Sequence, residues 1–345
     1  MAQFIPRQYF PTQLNLPRSY FLGHHASGLA GMKTMLSQID LILECRDYRV
    51  PLTSRNPLFE QALAGRERVV VHTKKDLGSW NSQEDHIRED VIREWHRPHS
   101  TLFTDHKSKK DIKTVLDFAK DHAIRRQSIL PSRILIVGMP NVGKSSLLNS
   151  LRMSGMKKSK AASTGAQPGI TRKISSAVKI LERDAERGIE GVYLVDTPGV
   201  FVPYVPDAEA MLKLALVGSV KDTIIAPVTL CDYLLFHINR QPQGDSVYRE
   251  YCAPTNDIEE LLEAVCRKCG KLKKGNVPDI EAAALWIIQK WRQGKLGSFV
   301  LDEVIPKGMV SKVEEEVGTS MNQARRQAKL AQMQRSKVRQ SSRTY

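Results

Sequence analysis

The chain has 345 residues, too many for one compact core, so two domains with tails are expected. Its formal net charge of +15 favours a polyanionic partner, nucleic acid first and an anionic membrane surface second. Apolar runs too short to span a bilayer exclude a membrane-spanning helix, and five scattered cysteines exclude a disulfide scaffold. Cys266-Arg267-Lys268-Cys269 has zinc-like spacing, but a second pair at finger spacing is lacking.

Residues 1–20 form a basic arm. No acidic residue precedes Asp40, and Arg7 and Arg18 stand among Ser, Thr and Gln, as in an import segment or a nucleic-acid-binding arm. Then come four short apolar bursts, each running into a polar block. Leu41-Ile42-Leu43 leads to Glu44-Cys45-Arg46-Asp47, and Val69-Val70-Val71 to Thr73-Lys74-Lys75-Asp76. Ile134-Leu135-Ile136-Val137 leads to Gly138-Met139-Pro140-Asn141-Val142-Gly143-Lys144-Ser145, and Val192-Tyr193-Leu194-Val195 to Asp196-Thr197-Pro198-Gly199. Such bursts read as buried parallel strands of a doubly wound α/β sheet, with ligand loops at their carboxyl ends.

From Asp207 the texture becomes helical. Met211–Leu216, Asp232–Ile238, Ile258–Val265 and Ala282–Trp291 read as helices punctuated by Pro254, Gly270, Pro278 and Gly294. The expected division is an arm at 1–20, a nucleotide domain at 21–206, a small all-α domain at 207–305 and a basic arm at 306–345. In that last arm every charged residue after Glu316 is basic.

The third block fits G-x-x-x-x-G-K-[ST]. Its backbone N–H groups, including those of Asn141, Val142, Gly143 and Ser146, would curl around phosphates at the positive end of the following helix. Lys144 would reach the β- and γ-oxygens, and Ser145 would place its hydroxyl on Mg²⁺. Asp196 would hold Mg²⁺ through water, and Gly199 would offer its N–H to the γ-phosphate. Thr171, within Pro168-Gly169-Ile170-Thr171-Arg172, is the candidate for a switch threonine that closes on the metal. Thr73-Lys74-Lys75-Asp76 resembles the guanine-reading N-K-x-D box, with Asp76 accepting from the ring N–H and amino group, and the Lys74 stem over the base. Thr73 stands where the box has Asn. This box normally follows the phosphate loop and here precedes it, so the domain is circularly permuted.

In this order of boxes the chain resembles the circularly permuted ribosome-assembly GTPases, the group of ribosome biogenesis GTPase A, and within it a mitochondrial branch. The likeness covers about residues 21–305. It rests also on Asp47, Arg49 and Ser54-Arg55-Asn56-Pro57, and on Phe21-Leu22-Gly23-His24, which resembles that group's F-P-G-H. The departures are Thr73 and Asp105-His106, where the group often has N-S or S-A in the loop around guanine; Asp105 is the candidate there.

The resemblance implies a permuted G domain followed by a helical domain, and a GTP hydrolase that matures the large ribosomal subunit. Its implied partners are GTP and GDP, large-subunit rRNA and mitochondrial ribosomal proteins, in the matrix, with a peripheral contact on the inner membrane. Val200 follows Gly199 where small GTPases carry a water-orienting Gln. The resemblance offers His24 instead, with a contact to rRNA or a structural role for His24 and His25 as the other reading. Asn141 also matches the residue that helps coordinate K⁺ in potassium-dependent relatives. The rival function is a nonenzymatic rRNA-binding chaperone with a degenerate switch.

Overall fold

The computed structural model describes residues 4–11, 16–17, 23–78, 82–158, 175–202, 205, 207–311 and 313, with the side chains of residues 23, 24 and 82 left aside. Thr171 and the basic run after Glu316 lie outside the described residues.

Six strands form one sheet: β1 (Leu41–Asp47), β2 (Arg68–Thr73), β3 (Ser100–Thr104), β4 (Ser132–Gly138), β5 (Val178–Leu181) and β6 (Val192–Asp196), in the order β3-β2-β1-β4-β6-β5. All pairings are parallel except β5 with β6. The expected α/β class and mostly parallel sheet are found. Every residue of β1 is buried, as a strand covered on both faces must be.

Alternation divides these side chains between two apolar layers. Leu41, Leu43, Cys45, Ile134 and Ile136 pack with α4 (Lys109–Arg126) and α5 (Lys144–Met156). Ile42, Leu135, Val137 and Val195 pack with Met32 of α1 (Gly23–Met35) and Phe59 of α2 (Pro57–Ala62). A fully buried Leu, Ile or Val contributes roughly 1.5–3 kcal/mol. A shift of one residue in any register would exchange the two sets. Helix α3 (Ser82–His96) lies between β2 and β3 in the chain.

The carboxyl-terminal half holds α6 (Ala208–Leu216), α7 (Pro227–Asn239), α8 (Ile258–Cys269) and α9 (Ile280–Arg292). Each has a start signal. Asp207 accepts from Glu209 N–H at 3.0 Å, Asp257 from Glu259 N–H at 2.8 Å and Asp279 from Ala282 N–H at 3.1 Å, while Pro227 opens α7. The expected all-α half also contains a short antiparallel hairpin, β7 (Leu272–Lys273) with β8 (Val277–Pro278). Gly275 and Asn276 turn it in the left-handed region. Residues 4–11 lie on this half: Arg7 Nη2 meets Asp232 Oδ1 at 2.5 Å, and the Phe10 ring stands edge-on to Tyr233 at 5.1 Å.

The helices pack directly on the nucleotide half. The Arg49 guanidinium lies 4.9 Å from the Trp291 ring centre and donates to the Val217 carbonyl at 3.4 Å. Asp302 accepts from Leu52 N–H at 2.9 Å, Thr53 N–H at 2.7 Å and the Thr53 hydroxyl at 2.6 Å, and Leu301 N–H donates to the Arg49 carbonyl at 2.7 Å.

Candidate nucleotide-binding site

The chain runs outward from β1 through β2 to β3, returns through α4 to β4 beside β1, then passes to the far edge strand β5 and turns back to β6, next to β4. The strand order therefore reverses between β1 and β4, and a crevice opens at their carboxyl ends. The three motif blocks named above end β2, β4 and β6, so one edge of the sheet carries all of them whatever their order in the chain.

The phosphate loop leaves β4 at Gly138 and enters α5 at Lys144. Gly143 has φ +96, where a side chain would be strained, and a Cβ there would stand in ordinary contact with the Thr73 side chain at 3.4 Å. The Thr73 hydroxyl donates to the Val142 carbonyl, with the Arg46 carbonyl 3.1 Å away. Thr73 thus ties the guanine box to the phosphate loop with its one hydroxyl. Lys74, itself left-handed at φ 57, extends Nζ to Asp47 Oδ2 at 2.8 Å and to the Asn141 carbonyl at 2.5 Å. Its ammonium is a second tie to the same loop. Asp47 is buried between Lys74 and Arg49 and stays ionised: burial raises its pKa, but the two cations hold it well below the ordinary carboxylate range.

Lys144 is buried and curls back, donating to the Met139 carbonyl at 2.8 Å and the Gly138 carbonyl at 3.2 Å. Burial pulls its pKa down, with Asp196 opposing. The Ser145 hydroxyl donates to Asp196 Oδ2 at 2.6 Å. Asp196 Oδ1 is buried without a hydrogen-bond partner among the described residues, and burial raises that carboxyl's pKa. A hydroxyl beside a half-satisfied carboxylate, at the head of a helix, is a donor set that fits Mg²⁺.

Asp76 shows the same deficit at the base end. Its Oδ1 is buried and unpaired among the described residues, and its Oδ2 meets only Lys107 Nζ, at 3.4 Å. Two N–H donors of guanine would satisfy it. Asp105 spends its carboxylate on its own turn, accepting from Lys107 N–H at 2.9 Å, and the next carbonyl, of His106, accepts from the Ser150 hydroxyl at 2.8 Å. The Asn141 side chain donates from Nδ2 to the Gly218 carbonyl at 2.8 Å, so the phosphate loop touches the helical half directly. Val142 is fully buried, and Ser146 half-buried in the first turn of α5. His24 lies on α1, its side chain outside the described residues.

Gly199 sits against the phosphate loop: a Cβ would come within 2.6 Å of Pro140 N and Cα, so only glycine allows this approach. Val200 is fully buried in the layer with Met32 and Phe59 and cannot reach water. Contacts that no motif in the sequence signals surround this turn. Val200 N–H donates to the Gly138 carbonyl at 3.2 Å, and Asn56 Nδ2 donates to the Val200 carbonyl at 2.8 Å. His25 is buried with Nδ1 2.8 Å from the Gly199 carbonyl. Asn56 stands in a motif that carries no role of its own in the sequence, and only its place before Pro57 hints at a helix cap.

A family model described as 50S ribosome-binding GTPase matches residues 133–269. The match opens at β4 and leaves out β1–β3, the part that the permutation moves to the front. Mitochondrial GTPase 1 of Schizosaccharomyces pombe is 35% identical over 333 residues, covering 91% of this chain and 97% of the relative. Mitochondrial ribosome-associated GTPase 1 of Bos taurus is 35% identical over 321 residues, covering 88% and 93%. Among solved structures, GDP-bound TM YlqF superposes with a TM-score of 0.50 at 22% identity, covering 79% of this chain and 98% of that one; this is a likeness of fold.

Proposed function

The chain belongs to the family of mitochondrial GTPase 1 and mitochondrial ribosome-associated GTPase 1, and on that premise we propose that it hydrolyses GTP to time an assembly step on the large subunit of the mitochondrial ribosome. The observation that carries this is the meeting of Thr73, Lys74 and Asp76 with Gly138–Ser145 and Asp196 at one sheet edge, in permuted chain order.

In this reading Asp76 selects guanine, with Asp105 nearby in the loop around the base. The N–H groups from Asn141 to Ser146 cradle the phosphates, and the Lys144 ammonium turns from its loop carbonyls onto the β- and γ-oxygens. Ser145 and Asp196, with Thr171, would hold Mg²⁺, which would supply positive charge to the phosphates. Asn141 would be the residue to hold K⁺, which would add to that charge. The N–H of Gly199 meets the γ-phosphate. With Val200 in the core, His24 is the residue assigned to orient the attacking water, a task worth ~10²–10⁴ in rate.

GTP-bound protein holds large-subunit rRNA through the basic arms, and hydrolysis releases it. The division at residues 206 and 207 separates timer from helical domain. The protein works in mitochondria, in the matrix and at the inner-membrane surface; none of the described helices is long and apolar enough to cross a membrane. The test is sedimentation of tagged protein on mitochondrial ribosome gradients with a nonhydrolysable GTP analogue and with GDP. Wild type should ride with large-subunit particles in the analogue and leave them in GDP. Lys144→Ala should stay unbound in both. Equal association of all forms would sink the timer.

A further inference from the structure

Two side chains from outside the phosphate loop grip successive carbonyls of the turn after β6. Asn56 holds that of Val200 at 2.8 Å, and His25 holds that of Gly199 at 2.8 Å. His25 Nδ1 also lies 3.4 Å from Phe201 N–H. A single ring nitrogen cannot donate to a carbonyl and accept from an amide at once. The shorter contact wins, so Nδ1 carries the proton and donates to Gly199. The imidazole is 1% exposed. Helix α1 delivers it by lying close on the turn: a Cβ on Gly28 would stand 3.5 Å from Pro198 and 3.6 Å from Val200.

The peptide unit joining Gly199 to Val200 is therefore pinned at both ends, its carbonyl by His25 and its N–H by the Gly138 carbonyl. The preceding peptide unit carries the Gly199 N–H assigned to the γ-phosphate. Fixing one plane limits the rotation of the next, since only the torsions of Gly199 separate them. Glycine, the residue with the widest torsional freedom, is the one most in need of such a restraint.

We propose that His25 is a positioning residue for GTP hydrolysis: its Nδ1–H holds the Gly199 carbonyl and so aims the Gly199 N–H at the γ-phosphate. This rests on the nucleotide site proposed above. Only a γ-phosphate would meet the Gly199 N–H, so GDP binding is indifferent to the restraint.

The test compares His25→Leu, which fills the space without a donor, with His25→Asn, whose amide nitrogen reproduces Nδ1–H. The readouts are single-turnover GTP hydrolysis and the ratio of GTP-analogue to GDP affinity. His25→Leu should lower both rate and ratio by ~2- to 10-fold, the worth of one net hydrogen bond, with GDP affinity unchanged. His25→Asn should restore both. Wild-type values in a folded His25→Leu protein, or an Asn variant as impaired as Leu, would overturn the proposal. If the Leu variant fails to bind GDP, His25→Asn decides: wild-type rate and ratio support the proposal and their loss overturns it. Lys144→Ala, run in parallel, tests the site itself. Retained nucleotide binding there removes the site, whereas its loss beside a silent His25→Leu removes only the role of His25.

Discussion

Arg49→Met should loosen the whole protein and not merely one loop. The guanidinium is buried and makes two charge-assisted bonds to Asp47, Nε to Oδ1 at 2.9 Å and Nη2 to Oδ2 at 2.8 Å. It also reaches the Val217 carbonyl and lies over Trp291. Methionine keeps much of the volume and removes the charge. Asp47 then faces Lys74 alone, with one of its oxygens left without its cation. Removing one partner of a buried pair typically costs about 3–5 kcal/mol, and the absence of a cation over the Trp291 face adds roughly 0.5–2 kcal/mol. With a urea slope near ~3 kcal/mol per molar, the unfolding midpoint should fall by about 1 M or more. Equilibrium urea unfolding followed by tryptophan emission reads this out. Asp47→Asn in the same chain should recover part of the loss, because no bare charge then remains. A midpoint within about 0.3 M of wild type, or about 1 kcal/mol at that slope, would refute the claim that Arg49 helps hold the two halves together.

Asp76→Asn should weaken GTP and favour xanthosine triphosphate, because an amide donor suits the 2-oxo group; competition against bound GDP measures it, and ATP competing as well as GTP would refute the guanine assignment. His237 is held neutral by burial, with Lys213 and Arg240 adding to the effect, at a pKa of about 3. The unfolded chain binds that proton from near pH 6.5, so this stability is whole above pH 6.5 and is lost as pH falls towards 3. Between pH 7.5 and 5.5 it should cost roughly 1.4 kcal/mol, and His237→Phe should flatten the dependence of the urea midpoint on pH by that amount. Removal of residues after Met321 should leave GTP binding intact and weaken rRNA association, lowering the logarithmic salt slope by ~0.9 for each duplex phosphate that the arm had neutralised. An unchanged slope would make the run a solvated tail.

Legibility followed locality. The four central strands announced themselves as uniform apolar bursts because both of their faces are covered. The edge strands did not. Ser100–Thr104 is mostly half-exposed and mixed in composition, and Val178–Leu181 alternates between buried and half-buried. The carboxyl-terminal helices were readable from periodicity and punctuation, while their hairpin was too short to leave a pattern.

In the site, the phosphate loop and Asp196 could be read because their chemistry is written in consecutive residues. The bonds that assemble the site could not. Asn141 with Gly218, Arg49 with Val217 and Asp302 with Thr53 join residues far apart in sequence, and pairings of that kind leave no local trace. By residue type alone, Thr73 is a deficit in base-binding capacity. Its hydroxyl instead keeps the contact with the phosphate loop that the absent amide would have shared.

The clasp of Asp302 on Leu52 and Thr53 sets an order of events during the making of the protein. Its partners are separated by 250 and 249 positions. The segment it holds follows directly on Asp47 and Arg49, beside the crevice. A contact of such span forms only when nearly all of the chain is available, whether from a ribosome or from an import channel. Until then β1 can pair and the phosphate loop can form, but Leu52 and Thr53 lack their carboxylate partner. A chain not yet extended to Asp302 therefore lacks the brace that holds Leu52 and Thr53 beside the crevice.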